Sequence, residues 1–434
     1  MMRSLFSGVS CLRVHQTKMD VIANNISNVN TVAYKSSRVT FAEIFNQTVS
    51  SATGANQATN RGGSNPTQIG LGVNVASIDK LMSNGSAQRT DNPLDLMIQG
   101  DGFFIVGDNT GQYFTRAGNF IEDAQGNIAM NGMKLMGWDT VWDNNVKDFV
   151  IDRTAVRPVQ ITGVKEYLDP TSTTQVDLSG NMNPNTDPIV QRGMSFYDSV
   201  GTKYVMDVVL THTGNTATES TWEVSFPYAE IYPNGDRARP MPITAPANFN
   251  ITFDTDGHLS GVANVAGAVD ATITVTPTQL DPAATLGDGT GAIIMNFGGL
   301  NQFVNETTNA LADNHDGNAP GHLSGISVGG DGKIMGRYSN GLLRLLAQVP
   351  LAFFKNPAGM EKMGDNLFIP SSNSGPFDGV GRDGQVMGGV LEMSNVDLGQ
   401  EFTEMITTQR GFQANSRIIS SSDQMLQELV NMAR

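Results

Sequence analysis

The fold class predicted for this chain is mixed: paired terminal α-helices, coiled-coil-like, at one end, with two nested mainly-β domains between them. Three observations predict it. Apolar residues recur every seven positions at both ends, the middle changes to a period of two, and turn dipeptides ending in glycine punctuate that middle.

At the N-terminus, Leu5, Leu12, Met19 and Ile26 are spaced by seven, and Ile22 and Val29 follow two of them by three. Gly8 and His15 hold the equivalent earlier places and weaken the line. The pattern is heptad-like. The only glycine before Gly54 is Gly8 and no proline precedes Pro66, so a helix is expected over 4–26. Asn24, Asn25, Asn28 and Asn30 follow. Asparagine is poor in a helix interior, but its side chain caps helices and bonds turn backbone. The run therefore reads as a helix junction.

Residues 41–70 read as an extended connector. In the middle, "KYVMDVVLTH" (203–212), "TWEVSF" (221–226), "FNITF" (249–253) and "ATITVT" (271–276) read as strands. Turn signals recur at Asn131-Gly132, Asn234-Gly235, Asp256-Gly257, Asp331-Gly332 and Asn340-Gly341. Polar stretches at 163–187 and 310–321 look like junctions. They divide an inner β-domain, 71–155 with 318–390, from an outer β-domain inserted at 156–317. This nested order brings 1–40 and 391–434 together as a terminal helical assembly domain.

The C-terminal pattern is stronger. Leu398, Met405, Phe412, Ile419 and Leu426 repeat every seven residues, and Phe402, Ile406, Ile418, Leu429 and Val430 broaden the stripe. "SNVD" at 394–397 supplies capping residue types. A helix over 396–432 would be roughly 55 Å long at 1.5 Å per residue, and one chain offers few ways to cover a stripe of that length. Charge supports pairing of the two ends. Residues 1–40 balance to +4, through Arg3, Arg13, Lys18, Lys35 and Arg38 against Asp20, whereas residues 391–434 balance to −3.

Composition narrows the chemistry. The net charge of −15 argues against nucleic acid as main partner, because phosphate binding wants clustered Lys and Arg. The single cysteine, Cys11, allows no intrachain disulfide and no multi-cysteine metal site. The five histidines are scattered, with His315 and His322 expected in one glycine-rich loop. No apolar run reaches about 18 residues, so no membrane span is expected, and the N-terminus lacks the apolar core of a cleaved secretory signal. "QGDGFFIVGD" (99–108) reads as turn and strand rather than a phosphate-binding loop. "DNHDG" (313–317) lacks the twelfth-position Glu of a calcium loop. No residue set points to catalysis, a metal or a cofactor.

Long stretches resemble the rod and hook axial proteins of the bacterial flagellum. They are "MMRSLFSGVSCLRVHQTKMDVIANNISNVNTVAYKSSRVTF" (1–41), "NPLDLMIQGDGFFIV" (92–106), "YFTRAGNF" (113–120), "NGMKLMGW" (131–138) and "LEMSNVDLGQEFTEMITTQRGFQANSRIISSSDQMLQELVNM" (391–432). "GRYSNGLLRLLAQVPLAFFKNPAGM" (336–360) is similar to the hook branch of that family, whose rod members are shorter and generally lack the large inserted domain. The resemblance does not cover 156–317, and Cys11 stands where the family commonly has Gly. It implies a flexible extracellular tube that passes torque from the basal-body rod to the filament, with a distal rod protein as the alternative. It also implies export by the flagellar type III apparatus without a cleaved signal. The implied partners are further copies of the chain, a hook cap protein, a distal rod protein and a hook–filament junction protein; neither enzyme activity nor a cofactor is implied. The self-assembly seam is then expected along Leu5, Leu12, Met19, Ile22, Ile26, Val29, Leu398, Phe402, Met405, Phe412, Ile419, Leu426 and Val430, with Asn24, Asn25, Asn28 and Asn30 at the junction.

Overall fold

The computed structural model describes residues 2–432 except 55–61, 109, 144–147, 162, 164, 186–188, 217, 227, 229, 245–246, 264, 278–283, 288, 290, 305–308, 376–379 and 383–384. Two compact units emerge: Met1–Gly163 with Ile326–Gly336 and Arg344–Arg434, and Val164–Gly325 with Arg337–Leu343.

The first unit holds both helices, α1 (Met2–Ser27) and α2 (Leu398–Met432). Asp397 caps α2: its Oδ1 accepts from the backbone N–H groups of Gly399 (2.8 Å) and Gln400 (3.3 Å), satisfying two donors the first turn leaves orphaned. After α1 come β1 (Ser37–Glu43), β2 (Asn46–Ser50), β3 (Thr67–Gly70) and β4 (Val73–Lys80). β1 pairs antiparallel with β4, and β2 with β3. Of the expected connector 41–70, the described residues are not simply extended chain: they carry the end of β1 and the paired strands β2 and β3. Every residue of β2 and β3 is exposed, so neither strand shows the buried/exposed alternation that reveals strands in a sequence.

The hub of this unit is the strand Met133–Asp143. It pairs with Asp148–Pro158 in a long hairpin, and also with Phe103–Gly107, Ile128–Met130 and, through Trp138 and Asp139, with Gln348 and Ala347. Phe103–Gly107 is buried along its whole length. Its residues alternate sides: Phe103 and Ile105 pack with Phe114, Met360 and Phe368, while Phe104 meets Phe120 edge-on at 5.3 Å. The boundary expected at 155/156 falls inside the hairpin, because Met136 pairs with Pro158. Backbone hydrogen bonds from Val159 and Ile161 to Leu135 and Gly126 hold the chain to this unit, which extends to Gly163 and resumes at Ile326 rather than 318. The helices likewise share one compact unit with the inner strands.

Among its described residues the second unit is all β. Lys203–Asn215 is central in one sheet, pairing with Ile189–Tyr197, Glu219–Ser225 and Glu230–Pro233. A four-stranded sheet runs Asp270–Thr274, Ala292–Asn301, Gln175–Asn181, Leu311–His315. Alternating residues bury one core that includes Trp222, Phe196, Phe253 and Phe297. His315 and His322 lie on the strands Leu311–His315 and Gly321–Val328, not in one loop; the His315 ring meets Tyr197 edge-on at 5.2 Å. Among the described residues no helix is long and apolar enough to cross a membrane.

Candidate functional site

The two helices run antiparallel. Asn25 bonds Glu401 at one end of the pair, Lys18 bridges Glu404 at 3.1 Å, and Asn415 donates to Cys11 Sγ further along. A Cβ added to Gly8 would stand 3.1 Å from Ile419, and one added to Gly411 would stand 2.8 Å from His15. The contact line on α1 is therefore Gly8, Cys11, His15, Lys18, Ile22 and Asn25, in steps of three and four. Apart from Ile22 it is built of glycine, cysteine and polar residues rather than large apolar ones. The facing line of α2 is similar, for the only residues of α2 that are fully buried, among those described, are Thr408 and Ser422.

Large apolar residues of α2 instead face outward. Phe402 is 50% exposed, Ile406 56%, Val430 67% and Met432 77%, and Ile418, Met425 and Leu429 are also exposed. On α1, Phe6 is 66% exposed and Val9 is exposed too. Length contributes. α1 has 26 residues and α2 has 35, so with Gly8 opposite Ile419 the described start of α1 falls opposite about residue 424. The last two turns of α2 project past it.

At the other end, three chain segments converge. Asn25 is buried and its amide is fully used: Nδ2 donates to Glu401 Oε1 (2.8 Å) and the Ser37 carbonyl (2.9 Å), while Oδ1 accepts from Ser37 N–H (3.0 Å) and Tyr34 O–H (3.3 Å). Asn28 Nδ2 reaches back to the carbonyl and Oδ1 of Asn24, closing the end of α1, and its Oδ1 accepts from Thr31. Asn30 is exposed. Burial raises the Glu401 carboxyl above the ordinary glutamate range; the Asn25 hydrogen bond opposes this, Glu404 adds to it and Lys18 opposes it. A raised folded pKa gives stability that is full below the unfolded value of about 4.3 and is lost as pH rises through the folded value. Glu401→Gln should therefore raise the melting temperature of the first unit at pH 7, with the gain vanishing near pH 4; calorimetry at both pH values checks this.

Beneath this junction lies a buried ionic cluster. Glu392 Oε1 accepts from Lys35 Nζ (2.6 Å) and Gly85 N–H (2.9 Å) and lies 3.5 Å from Arg116 Nη1. Lys35 Nζ also donates to the Ser83 carbonyl (2.8 Å). Arg116 donates to the carbonyls of Gly102 and Gly100 and to Asn84 Oδ1. All three charged side chains are essentially sealed from solvent. Burial holds the Lys35 ammonium below the usual lysine range despite Glu392, and lowers Arg116 likewise. Ala33 has φ of 55° and donates to the Glu392 carbonyl oxygen at 2.8 Å, a left-handed conformation unusual for a residue with a Cβ.

Of the sequence-proposed seam, Ile22 is buried. Leu5, Leu12, Met19, Ile26, Val29, Met405, Phe412, Ile419 and Leu426 are half-buried, and Leu398, Phe402 and Val430 are exposed. Two placements differ from expectation. Val29 lies in the turn after α1 has ended at Ser27. The line Leu5, Leu12, Met19, Ile26 flanks the α2 contact instead of forming it, because the close approach selects Gly8 and Gly411 over bulk. Sequence reasoning missed Phe6, Val9 and Met425, and also the Lys35–Glu392–Arg116 cluster. The one signal for the cluster was lone charges set in otherwise uncharged segments.

Four family models match: Flagella basal body rod protein over 6–35, Flagellar hook protein FlgE/F/G D1 domain over 97–161, Flagellar basal body protein FlaE D2 domain over 167–317, and Flagellar basal body rod FlgEFG protein C-terminal over 387–432. The flagellar hook protein FlgE of Borreliella burgdorferi is 35% identical over 464 aligned residues, covering 100% of both chains. The chain belongs to the flagellar hook protein family. The FlgE of Treponema pallidum is 33% identical, again over 100% of both chains. The flagellar basal-body rod protein FlgG of Bacillus subtilis is 29% identical over 100% of both, lower than either of those hook proteins, so the distal-rod alternative is not favoured. Like its hook family, the chain is a structural subunit and not an enzyme, and its family places it in the flagellum.

Proposed function

We propose that this hook-family chain polymerises through its terminal helices into a curved, flexible extracellular tube that passes torque from the rod to the filament. The observation that carries the reading is the outward apolar face of α2, which the chain's own α1 leaves uncovered. Helices of this kind gain most of their stability from packing, and each Leu, Ile or Phe buried by a neighbour contributes about 1.5–3 kcal/mol before entropy is subtracted. The exposed members Leu398, Phe402 and Val430 form the intersubunit seam, together with Ile406, Met425 and Leu429. The half-buried members complete the helix pair, and the asparagine junction holds its end. An uncleaved N-terminus threading the type III export apparatus, with growth beneath a hook cap protein between a distal rod protein and a hook–filament junction protein, completes the proposal.

Purified chain, concentrated and imaged by negative stain, should form curved tubes. Straight tubes would favour the rod reading. A chain that stays monomeric at every concentration, with both helices fully protected from hydrogen exchange, would overturn self-assembly.

A further inference from the structure

The Lys35–Glu392–Arg116 cluster ties together the segment leaving α1, the segment running into α2, and two loops of the β body. Glu392 is on the strand Val390–Glu392, a few residues before α2, while Lys35 is eight residues past the end of α1. Ser83, Asn84, Gly85, Gly100 and Gly102 belong to the body and receive or supply the remaining hydrogen bonds. Backbone ties run parallel to the ionic ones. Ala33 N–H donates to the Glu392 carbonyl, Ser36 N–H to Asn395 Oδ1, and Met393 N–H to the Ser86 carbonyl.

Stability alone does not account for this arrangement. Two cations surround one carboxylate, and Glu392 Oε2 is buried without a hydrogen-bond partner among the described residues. Apolar residues of similar volume would fill the site as well or better, because desolvation offsets most of the attraction in a buried ion pair. Hydrogen bonds to fixed carbonyls and amides supply what apolar packing lacks, namely direction. We propose that Lys35, Arg116 and Glu392 are positioning residues that set the angle at which the helix pair leaves the β body, so that torque passes between them without a loose joint. The mechanical purpose rests on the assembly reading above. The positioning itself is a property of the single chain.

The test uses the full-length monomer on a Cys11→Ala background, with spin labels attached through Glu122→Cys and Gln413→Cys, both on exposed residues of the first unit. Two variants are compared with the parent: Glu392→Gln, which keeps the shape, and the double variant Lys35→Met with Glu392→Met, which keeps the volume. The expected result is an interlabel distance distribution at least half again as broad. Amide exchange at Ser36, Gly85 and Met393 should be at least tenfold faster, while exchange in Phe103–Gly107 stays unchanged. An unchanged distribution in both variants overturns the proposal. So does accelerated exchange throughout the unit, or failure of both variants to fold, since either marks the cluster as general support. Tube formation is scored separately, so a chain that never polymerises while its labels broaden refutes the assembly reading alone.

Discussion

At concentrations where the parent chain assembles, Val430→Asp forms no tubes and leaves the monomer intact. Val430 is 67% exposed on the part of α2 that projects beyond the start of α1, beside the exposed Leu429 and Met432. In the monomer the new carboxylate stands in water and costs almost nothing. In the polymer it would be carried into an apolar contact, where an unpaired charge is strongly disfavoured. A loss of about 3 kcal/mol per contact raises the critical concentration by roughly a hundredfold. Sedimentation and negative-stain imaging read the polymer, and calorimetry reads the monomer. Phe412→Asp also blocks assembly but is a less clean probe: Phe412 is half-buried on the helix pair, so its replacement loosens α1 from α2 as well. Normal tubes from Val430→Asp would remove the C-terminal turns from the seam.

Gly85→Ala destabilises the first unit by about 2–3 kcal/mol, the scale of forced overpacking. A Cβ on Gly85 would stand 1.9 Å from the Met393 carbonyl oxygen, well inside van der Waals contact. That oxygen is backbone, so no side-chain rotation relieves the clash. The Met393 N–H is meanwhile held by the Ser86 carbonyl at 2.9 Å, and Gly85 N–H by Glu392. The strand leading into α2 has to move away from the loop. Gly111→Ala is the control, since nothing lies within 4 Å of its Cβ, and its effect should stay within about 0.5 kcal/mol. Urea unfolding followed in the first unit separates the two. Equal stability for both variants would mean that the 83–86 loop does not pack against Met393 in solution.

Both predictions depend on features of unequal legibility. The projecting end of α2 could be read early: a seven-residue repeat from Leu398 to Leu426 with Asp397 in front of it states a long capped helix. The helix begins at Leu398 because Asp397 supplies the cap. The partner line on α1 could not be read the same way. A sequence argument ranks lines by hydrophobicity and selects Leu5, Leu12, Met19 and Ile26. The helices instead meet along Gly8, Cys11, His15 and Lys18, where small or slender residues let the backbones approach. The β2–β3 hairpin was hidden for a related reason, since its residues are exposed on both faces and leave no alternation.

What the sequence by itself determined is local and periodic: two amphipathic helices with their caps and breaks, alternating strands with their Asn-Gly and Asp-Gly turns, and two ends rich in apolar residues. Only the tertiary structure decided which faces meet and where the buried charges go. Lys35 and Glu392 are 357 residues apart, and no spacing rule links them. Their contact depends on strands of the β body bringing the two ends of the chain to one place, and at that distance along the chain, shape and hydrogen-bond direction choose the partner rather than hydrophobic rank.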